Sequence, residues 1–242
     1  MADLVGPEIF DEDYLWFMEP VLEPRSDDEV ALILRLLELP PGAEVLDAPC
    51  GHGRIANRVS SLGYRVVGLD ATPLFLDVAR SAGSAVEYVE GDLRAMPFEG
   101  RFDAAINWFS SFGYFDDEGN QAVLQGFRRA LKPGGKLLIE QASRDFLLAN
   151  LPASGQAVWL GERSDDLLID KVSYDPAAGR STTERIVVRD GKVRRMHFSL
   201  AQPTASELAR MLREAGFDDV RALNENGDEF TTRSRRLLML AR

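Results

Sequence analysis

Apolar runs of strand length alternate with stretches whose apolar positions recur at helical spacing. Val45-Leu46 end on Asp47, and Tyr64 to Leu69, Val86 to Val89, Phe102 to Asn107 and Lys136 to Glu140 follow as further short runs. Between them the punctuation is that of helices. One is expected from about Arg54 to Gly63, a second from Pro73, behind Thr72 as cap, to Gly83, and a third from about Glu118 to Leu131. Five alternations of strand and helix imply a mostly parallel sheet with right-handed crossovers and helices on both faces.

The two ends of the chain read differently. Residues 8–20 interleave Phe10, Tyr14, Trp16 and Phe17 with Asp11, Glu12, Asp13 and Glu19, the pattern of an amphipathic cap. Ser26-Asp27-Asp28-Glu29 reads as a capping box before Val30, Ile33, Leu34 and Leu37, and Pro40-Pro41-Gly42 stops that helix. From about Leu151 to Gln202 the period drops to two. Leu167 to Val172, Thr183 to Val188 and Val193 to Leu200 are expected strands, with Asp190-Gly191 a hairpin turn. Thr204-Ala205-Ser206-Glu207 is a second capping box for a helix ending at Gly216, and Phe217 to Leu223 and Arg236 to Ala241 close the fold.

The expected fold is α/β, a doubly wound, mostly parallel seven-stranded sheet with an antiparallel β insertion before the sixth strand. It forms one domain over residues 1–242, divided into a helical cap (1–40), a core (41–150), the insertion (151–202) and a closing unit (203–242).

Composition narrows the function. A hydrophobic fraction of 45% over 242 residues is ordinary for a globular chain. The formal charge of −11 and pI near 4.8 argue against a dedicated nucleic-acid enzyme, which needs a basic face for phosphates. Met1 to Glu8 have neither the basic nor the apolar region of a leader, and no 18-residue apolar run suggests a membrane span. The single cysteine, Cys50, precludes an internal disulfide and fits a reducing compartment, so the cytoplasm is expected. Two distant histidines and one cysteine show no metal-ligand spacing.

The chemistry concentrates in Glu44 to Gly53, an apolar strand ending in Asp47 that turns through Gly51 and Gly53 into a helix. Such a turn lets backbone approach a ligand closely. Gly51-His52-Gly53-Arg54-Ile55-Ala56 also satisfies the dinucleotide pattern G-x-G-x-x-G/A, with Asp70 near its ribose-binding offset. A nicotinamide-dependent oxidoreductase is therefore one reading. Asp47 speaks against it, because a carboxylate at the end of the first strand would face a pyrophosphate with like charge. A cationic, zwitterionic cofactor without phosphate suits the position better.

With Asp47 to Gly53, Asp70, Gly91-Asp92 and Leu131-Lys132-Pro133-Gly134-Gly135 in that order, the chain resembles class I S-adenosylmethionine-dependent methyltransferases over most of its length. The resemblance implies S-adenosylmethionine as cofactor and S-adenosylhomocysteine as product. It implies a cofactor site of Tyr14, Asp47, Ala48, Pro49, Gly51, Gly53, Asp70, Ala71, Gly91, Asp92, Leu93 and Asn107, in which Asp70 accepts the ribose hydroxyls and Asp92 the adenine amino group. Pro49 departs from the family's commonest loop, which has a glycine there.

The aromatic run leaving the fourth strand, with Trp108, Phe109, Phe112 and Tyr114, is expected to bind a small-molecule acceptor. Similar small-molecule methyltransferases use such an insertion to shape the acceptor pocket and sometimes to join two subunits, so a homodimer through the insertion is a further expectation. Nucleic acid and membrane are not expected partners. Methyl transfer from a sulfonium is an in-line displacement that rests on alignment and exclusion of water, and it requires no triad. Where a base helps, His52, Glu140, His197 and Asp116 are the candidates. A catalytically silent cofactor-sensing or partner-binding module is the remaining alternative.

Overall fold

The computed structural model describes residues 9–151, 156–159 and 165–242. The expectations for residues 1–8, and for the insertion at 152–155 and 160–164, fall outside the described residues.

The cap is helix α1 (Glu12–Leu22) followed, after a 3₁₀ turn over Glu23–Arg25, by α2 (Ser26–Leu37). The core then runs β1 (Glu44–Asp47), α3 (Arg54–Ser61), β2 (Arg65–Asp70), α4 (Pro73–Ser81), β3 (Glu87–Glu90), β4 (Phe102–Asn107), α5 (Asp117–Ala130) and β5 (Leu131–Ala142). A short helix that the sequence reading did not anticipate, α6 (Arg144–Ala149), leads into the insertion. Its strands are β6 (Gln156–Trp159), β7 (Leu167–Asp175), β8 (Arg180–Arg189) and β9 (Lys192–Ala201). Helix α7 (Ala205–Glu214), β10 (Val220–Leu223) and β11 (Arg236–Ala241) complete the chain.

Seven strands form one sheet in the order β10-β11-β5-β4-β1-β2-β3. The β1, β2, β3, β4 and β5 pairs are parallel, and β11 runs antiparallel to both neighbours. This is the expected doubly wound sheet, with the insertion ahead of its sixth strand. One apolar layer holds Phe102, Phe127, Leu137 and Phe217, and the layer on the other face holds Ile33, Leu37, Val45 and Ile106. Burial on both faces explains why β1 and β4 read as continuous apolar runs rather than alternating ones.

The insertion is a separate four-stranded antiparallel sheet, β6-β7-β8-β9, turned at Asp190 (φ 50°) and Gly191 (φ 71°). Its inward positions pack on the cap through Leu168, Val187 and Met196 against Ile9 and Phe17. Asp13 pairs with Arg189 at 2.8 Å, Arg194 reaches both Asp11 and Asp13, and Arg189 lies over the Trp16 ring. Cap and insertion are thus held to each other by apolar burial and by ion pairs.

Two capping expectations need correction. Ser26 does not cap α2: the 3₁₀ turn feeds directly into the helix, so its hydroxyl donates to Leu22 O and accepts from Arg54, while Glu29 turns to Arg25, Arg54 and Trp108. Thr72 is extended at the start of α4 but makes no side-chain cap, its own N–H going to Asp70. The Thr204–Glu207 box forms as expected.

Gly113 joins the core to the insertion. Its carbonyl accepts from Ala201 N at 2.8 Å and from Arg180 Nη2 at 3.0 Å, and its φ of +104° would put a Cβ 2.7 Å from Ala201 O. Gly113→Ala should therefore lose about 1–3 kcal/mol of stability in urea unfolding. Gly179→Ala, whose Cβ would meet nothing within 4 Å, should lose less. Equal losses would show that the junction is not under steric constraint.

Candidate functional site

Parallel register brings Asp47, Asp70 and Asn107 to one edge. Asp47 is opposite Gly68 and Ile106, Asp70 opposite Glu90, and Asn107 opposite Ile139. Beyond those carboxyl ends, where open α/β sheets bind ligands, lies a cavity of about 400 Å³, within the range of small-molecule and cofactor sites.

The turn after β1 forms its floor. Ala48 N donates to Ile106 O and Cys50 N to Leu69 O, pinning the turn between the neighbouring strands. Gly53 begins α3 with φ +82°, and a Cβ there would collide with the Tyr88 hydroxyl and lie 2.8 Å from Ala79 Cβ. Gly51 (φ +53°) faces open space, and its N–H donates to Asp70 Oδ2 at 2.8 Å.

Of the residues expected at the site, Tyr14, Asp47, Pro49, Gly51, Asp70, Ala71, Gly91, Asp92, Leu93, Trp108, Phe109, Tyr114 and His52 line this cavity. Ala48, Gly53 and Asn107 lie behind the lining. Asn107 is fully buried and donates to Ala48 O at 2.9 Å, so it holds the turn rather than facing a ligand.

Four further expectations are corrected. Phe112 is 2% exposed within the main core, because the chain leaving β4 bends at Phe109 and Ser110 and carries that ring back onto the sheet. Glu140 is buried against Arg236 and accepts from Ser110 N, so its carboxylate is committed to the scaffold. His197 is exposed on β9 opposite Glu184, since strand alternation gives the inward positions to Met196 and Phe198. Asp116 likewise serves as N-cap of α5, accepting from Gly119 N. The Cys50 thiol is pushed well up by burial and by the Asp47 and Asp70 charges, the opposite of a nucleophile's environment.

The lining adds residues the sequence reading did not place there, among them Arg54, Thr72, Phe75, Arg94, Ser111 and Phe115. Arg54 and Phe75 open or follow the first turns of α3 and α4, so their distance from the strand ends was the available signal. The aromatic wall is continuous: Tyr14 to Phe75 5.3 Å, Phe10 to Tyr114 5.6 Å and Phe10 to Tyr14 5.7 Å between ring centroids.

Phe109 (φ 60°) and Ser110 (φ 55°) are consecutive left-handed residues, a conformation that costs roughly 1–2 kcal/mol for each side chain with a Cβ. Hydrogen bonds hold it. Ser110 N donates to Glu140 O at 3.0 Å, and Ser110 Oγ accepts from Ala142 N at 3.0 Å and Arg236 Nη2 at 2.9 Å. The elbow turns the Phe109 ring toward the cavity, with the Arg25 and Arg54 guanidiniums 5.0 and 5.6 Å from its centre.

The electrostatics are unusual at Asp47. It is 2% exposed, its Oδ2 has no hydrogen-bond partner, and burial pushes its pKa up to about 7 against the pull of Arg54. Asp70 is also raised by burial, although Thr72 and Gly51 donate to its two oxygens, each of which keeps acceptor capacity. Asp92 is bound side-on by Arg94, which lowers its pKa. His52 is pushed down to about 4, chiefly by burial, so its imidazole is neutral at neutral pH; its Nε2 is buried without a partner.

A buried carboxylate with one unpartnered oxygen beside a ligand-sized cavity fits a cofactor carrying an ammonium, as S-adenosylmethionine does. Residues 45–135 match the family model described as a methyltransferase domain. The cypemycin N-terminal methyltransferase of a Streptomyces species is 28% identical over 206 residues, 82% of each chain. Among solved structures, the CcbJ methyltransferase from Streptomyces caelestis superposes with a TM-score of 0.75 at 21% identity, covering 90% of this chain and 89% of that one. CalS10 from Micromonospora echinaspora, an amino pentose methyltransferase solved with its S-adenosylmethionine, gives 0.66 at 19% identity and 90% coverage of each.

Because the folded protein holds the Asp47 proton more tightly than the unfolded chain does, ionising Asp47 weakens the ligand-free fold as pH rises from about 4 through 7. Asp47→Asn, which cannot ionise, should gain on wild type by on the order of 2–4 kcal/mol across that rise. Urea unfolding at pH 5 and pH 8 measures it, and a difference independent of pH would contradict the assignment.

Proposed function

We infer that this chain, an S-adenosylmethionine-dependent methyltransferase of the class I, Rossmann-like type, methylates a small molecule with an apolar or aromatic part. The single observation that carries the cofactor reading is the buried Asp47 at the end of β1, whose Oδ2 has no hydrogen-bond partner. When bound, S-adenosylmethionine supplies an electrophilic methyl group. The chain's own part is to bind, orient and exclude water.

In this reading Asp47 takes the cationic ammonium and Asp70 accepts ribose hydroxyls with the lone pairs that Gly51 and Thr72 leave. Asp92 and Leu93 border the adenine, and Tyr14 closes over the cofactor from the cap. The acceptor lies among Trp108, Phe109 and Tyr114, roofed by the cap. Among the expected bases only His52 lines the cavity, and its low pKa makes it a weak one. Proximity and desolvation therefore supply most of the rate.

Calorimetric titration with S-adenosylmethionine, S-adenosylhomocysteine, NAD and NADP is the direct test. The sulfur compounds should bind and the dinucleotides should not. Asp70→Ala should weaken S-adenosylhomocysteine by about tenfold or more, given roughly 1.5–3 kcal/mol per charged hydrogen bond. Binding of NAD alone would end the reading.

The acceptor class rests on the aromatic lining and the net charge of −11. The CalS10 structure, of an amino pentose methyltransferase, is an example of a small acceptor on this fold. Incubation with methyl-labelled cofactor and separate pools of metabolites, protein and RNA should label the metabolites. Label confined to protein or RNA would overturn the proposal.

A cytoplasmic enzyme agrees with the single buried thiol, and among the described residues no helix is long and apolar enough to cross a membrane. A homodimer through the insertion is supported by its outward row Leu167, Val188 and exposed Val193. Sedimentation velocity reads it.

A further inference from the structure

Part of the aromatic wall is carried by a short strap, residues 113–115, that follows the buried Phe112 and lies against the insertion. Tyr114 and Phe115 both line the cavity. Asn120 of α5 fixes the far end, accepting from Phe115 N at 3.3 Å and donating to Phe115 O at 2.9 Å. Gly113 O, at the near end, accepts from Ala201 N. Tyr114, between them, makes no hydrogen bond among the described residues, and its ring meets Phe10 at 5.6 Å.

Arg180, the first residue of β8, spans the strap. Its Nη2 donates to Gly113 O and its Nη1 to Phe115 O, both at 3.0 Å, so one guanidinium grips the carbonyls on either side of Tyr114. The rest of the fork is fixed to β9, Nε to Ser199 Oγ at 3.0 Å and Nη2 to Ser199 O at 3.2 Å. All four acceptors are neutral. Burial lowers the Arg180 pKa, and the Asp116 and Asp117 charges that oppose this form no ion pair with it among the described residues.

That is a costly way to fill space, because a partly buried guanidinium without a counter-ion trades its hydration for carbonyls alone. What it gains is geometry. The planar fork presents its donors in fixed directions and holds the two carbonyls at one separation, and the peptide planes around Tyr114 with them. Ala201 N and Asn120 Nδ2 each hold one of these carbonyls, whereas among the described residues Arg180 alone holds both. No described residue of the insertion lines the cavity. The insertion therefore acts on the wall from behind, and Arg180 is the side chain that reaches it.

We propose that Arg180 is a positioning residue for the acceptor: it touches neither acceptor nor cofactor, and it fixes Tyr114 in the wall against which the acceptor is aligned. The proposal rests on the reading above that the acceptor lies beside Tyr114, and it extends that reading to a residue outside the cavity. Methyl transfer depends on alignment, so loosening this wall costs rate. The cofactor side is spared, because Phe115 keeps both hydrogen bonds to Asn120 and the Arg94 guanidinium 4.4 Å over its ring.

Two readouts on the full chain test it. In protein labelled with m-fluorotyrosine, Tyr114→Phe identifies the fluorine resonance of Tyr114. Arg180→Gln should shift or broaden that line and leave in place the line of Tyr88, whose hydroxyl is bound to Asn57. In methyl transfer from labelled S-adenosylmethionine to a limiting metabolite pool, the same variant should lose about tenfold in rate, with calorimetric affinity for S-adenosylhomocysteine unchanged. Arg180→Lys keeps the charge but not the fork and should restore neither readout; it also carries the test if Arg180→Gln does not fold. An unmoved Tyr114 line, recovery of both readouts in Arg180→Lys, or a parallel loss of S-adenosylhomocysteine affinity would overturn the assignment, and so would failure of both variants to fold. The acceptor reading fails by a different result: Tyr114→Ala labelling the pool at the wild-type rate would remove the acceptor from Tyr114, and the proposal with it, whatever the spectra of the Arg180 variants.

Discussion

A carboxylate buried without a full set of partners is the constraint on which the rest of the site depends. Asp47 is forced into that position by β1, whose apolar residues are covered on both faces and whose pairing to β2 and β4 leaves the strand no freedom to slide. A one-residue slip would turn every side chain of the strand to the opposite face and change the position of Asp47 at the strand end. The nearest compensation is the row Arg54, Glu29 and Arg25, which brings positive charge toward Asp47 without neutralising it through a direct hydrogen bond. The fold tolerates the carboxylate, and the remaining imbalance is what gives the cavity its preference for an incoming cationic group.

The second dependence is conformational. The elbow at Phe109 and Ser110 holds two non-glycine residues in a left-handed conformation, and such strain persists only where the surroundings over-determine it. Here they do so from three directions, the end of β5 through Glu140 and Ala142, the start of β11 through Arg236, and the Trp108 carbonyl through Ser111. Glu140 is better understood as part of that frame than as a base. The placement of Phe109 in the wall is therefore set by residues far along the chain that touch no ligand.

Local patterns in the sequence made the frame legible, and long-range partners hid the rest. Alternating apolar runs and helical periodicity report local structure, so the parallel sheet, the glycine turn, the Thr204 box and the Asp190-Gly191 hairpin could be read directly. Ser26 and Glu29 have the right spacing for a capping box, yet the Arg54 guanidinium from α3 and the Trp108 indole just after β4 outbid the local bond, and no local pattern records that competition. Phe112 was misplaced because an irregular segment has no period to say which of several rings turns inward. Arg54 was quoted only as a member of the glycine pattern, since a charged residue at the start of a helix ordinarily faces solvent. His197 could have been placed by alternation alone, because Met196 and Phe198 claim the inward face.

The geometry also bears on why one glycine-rich turn serves such different cofactors. In a dinucleotide site, backbone N–H groups at the helix N-terminus are aimed at a pyrophosphate. In this chain the N–H of Gly51 is already committed to Asp70, and the N–H of Ala56, in the first turn of α3, is directed at Asp47. Two of the donors that would receive phosphate are thus given to carboxylates, and Asp47 adds like charge at the end of the first strand. At effective dielectric constants near 20, two unit charges 4 Å apart interact by about 4 kcal/mol, more than a single backbone hydrogen bond returns. The same turn that cradles phosphate in one context is poorly matched to it here, because the strand end and the next strand's carboxylate have claimed two of its donors.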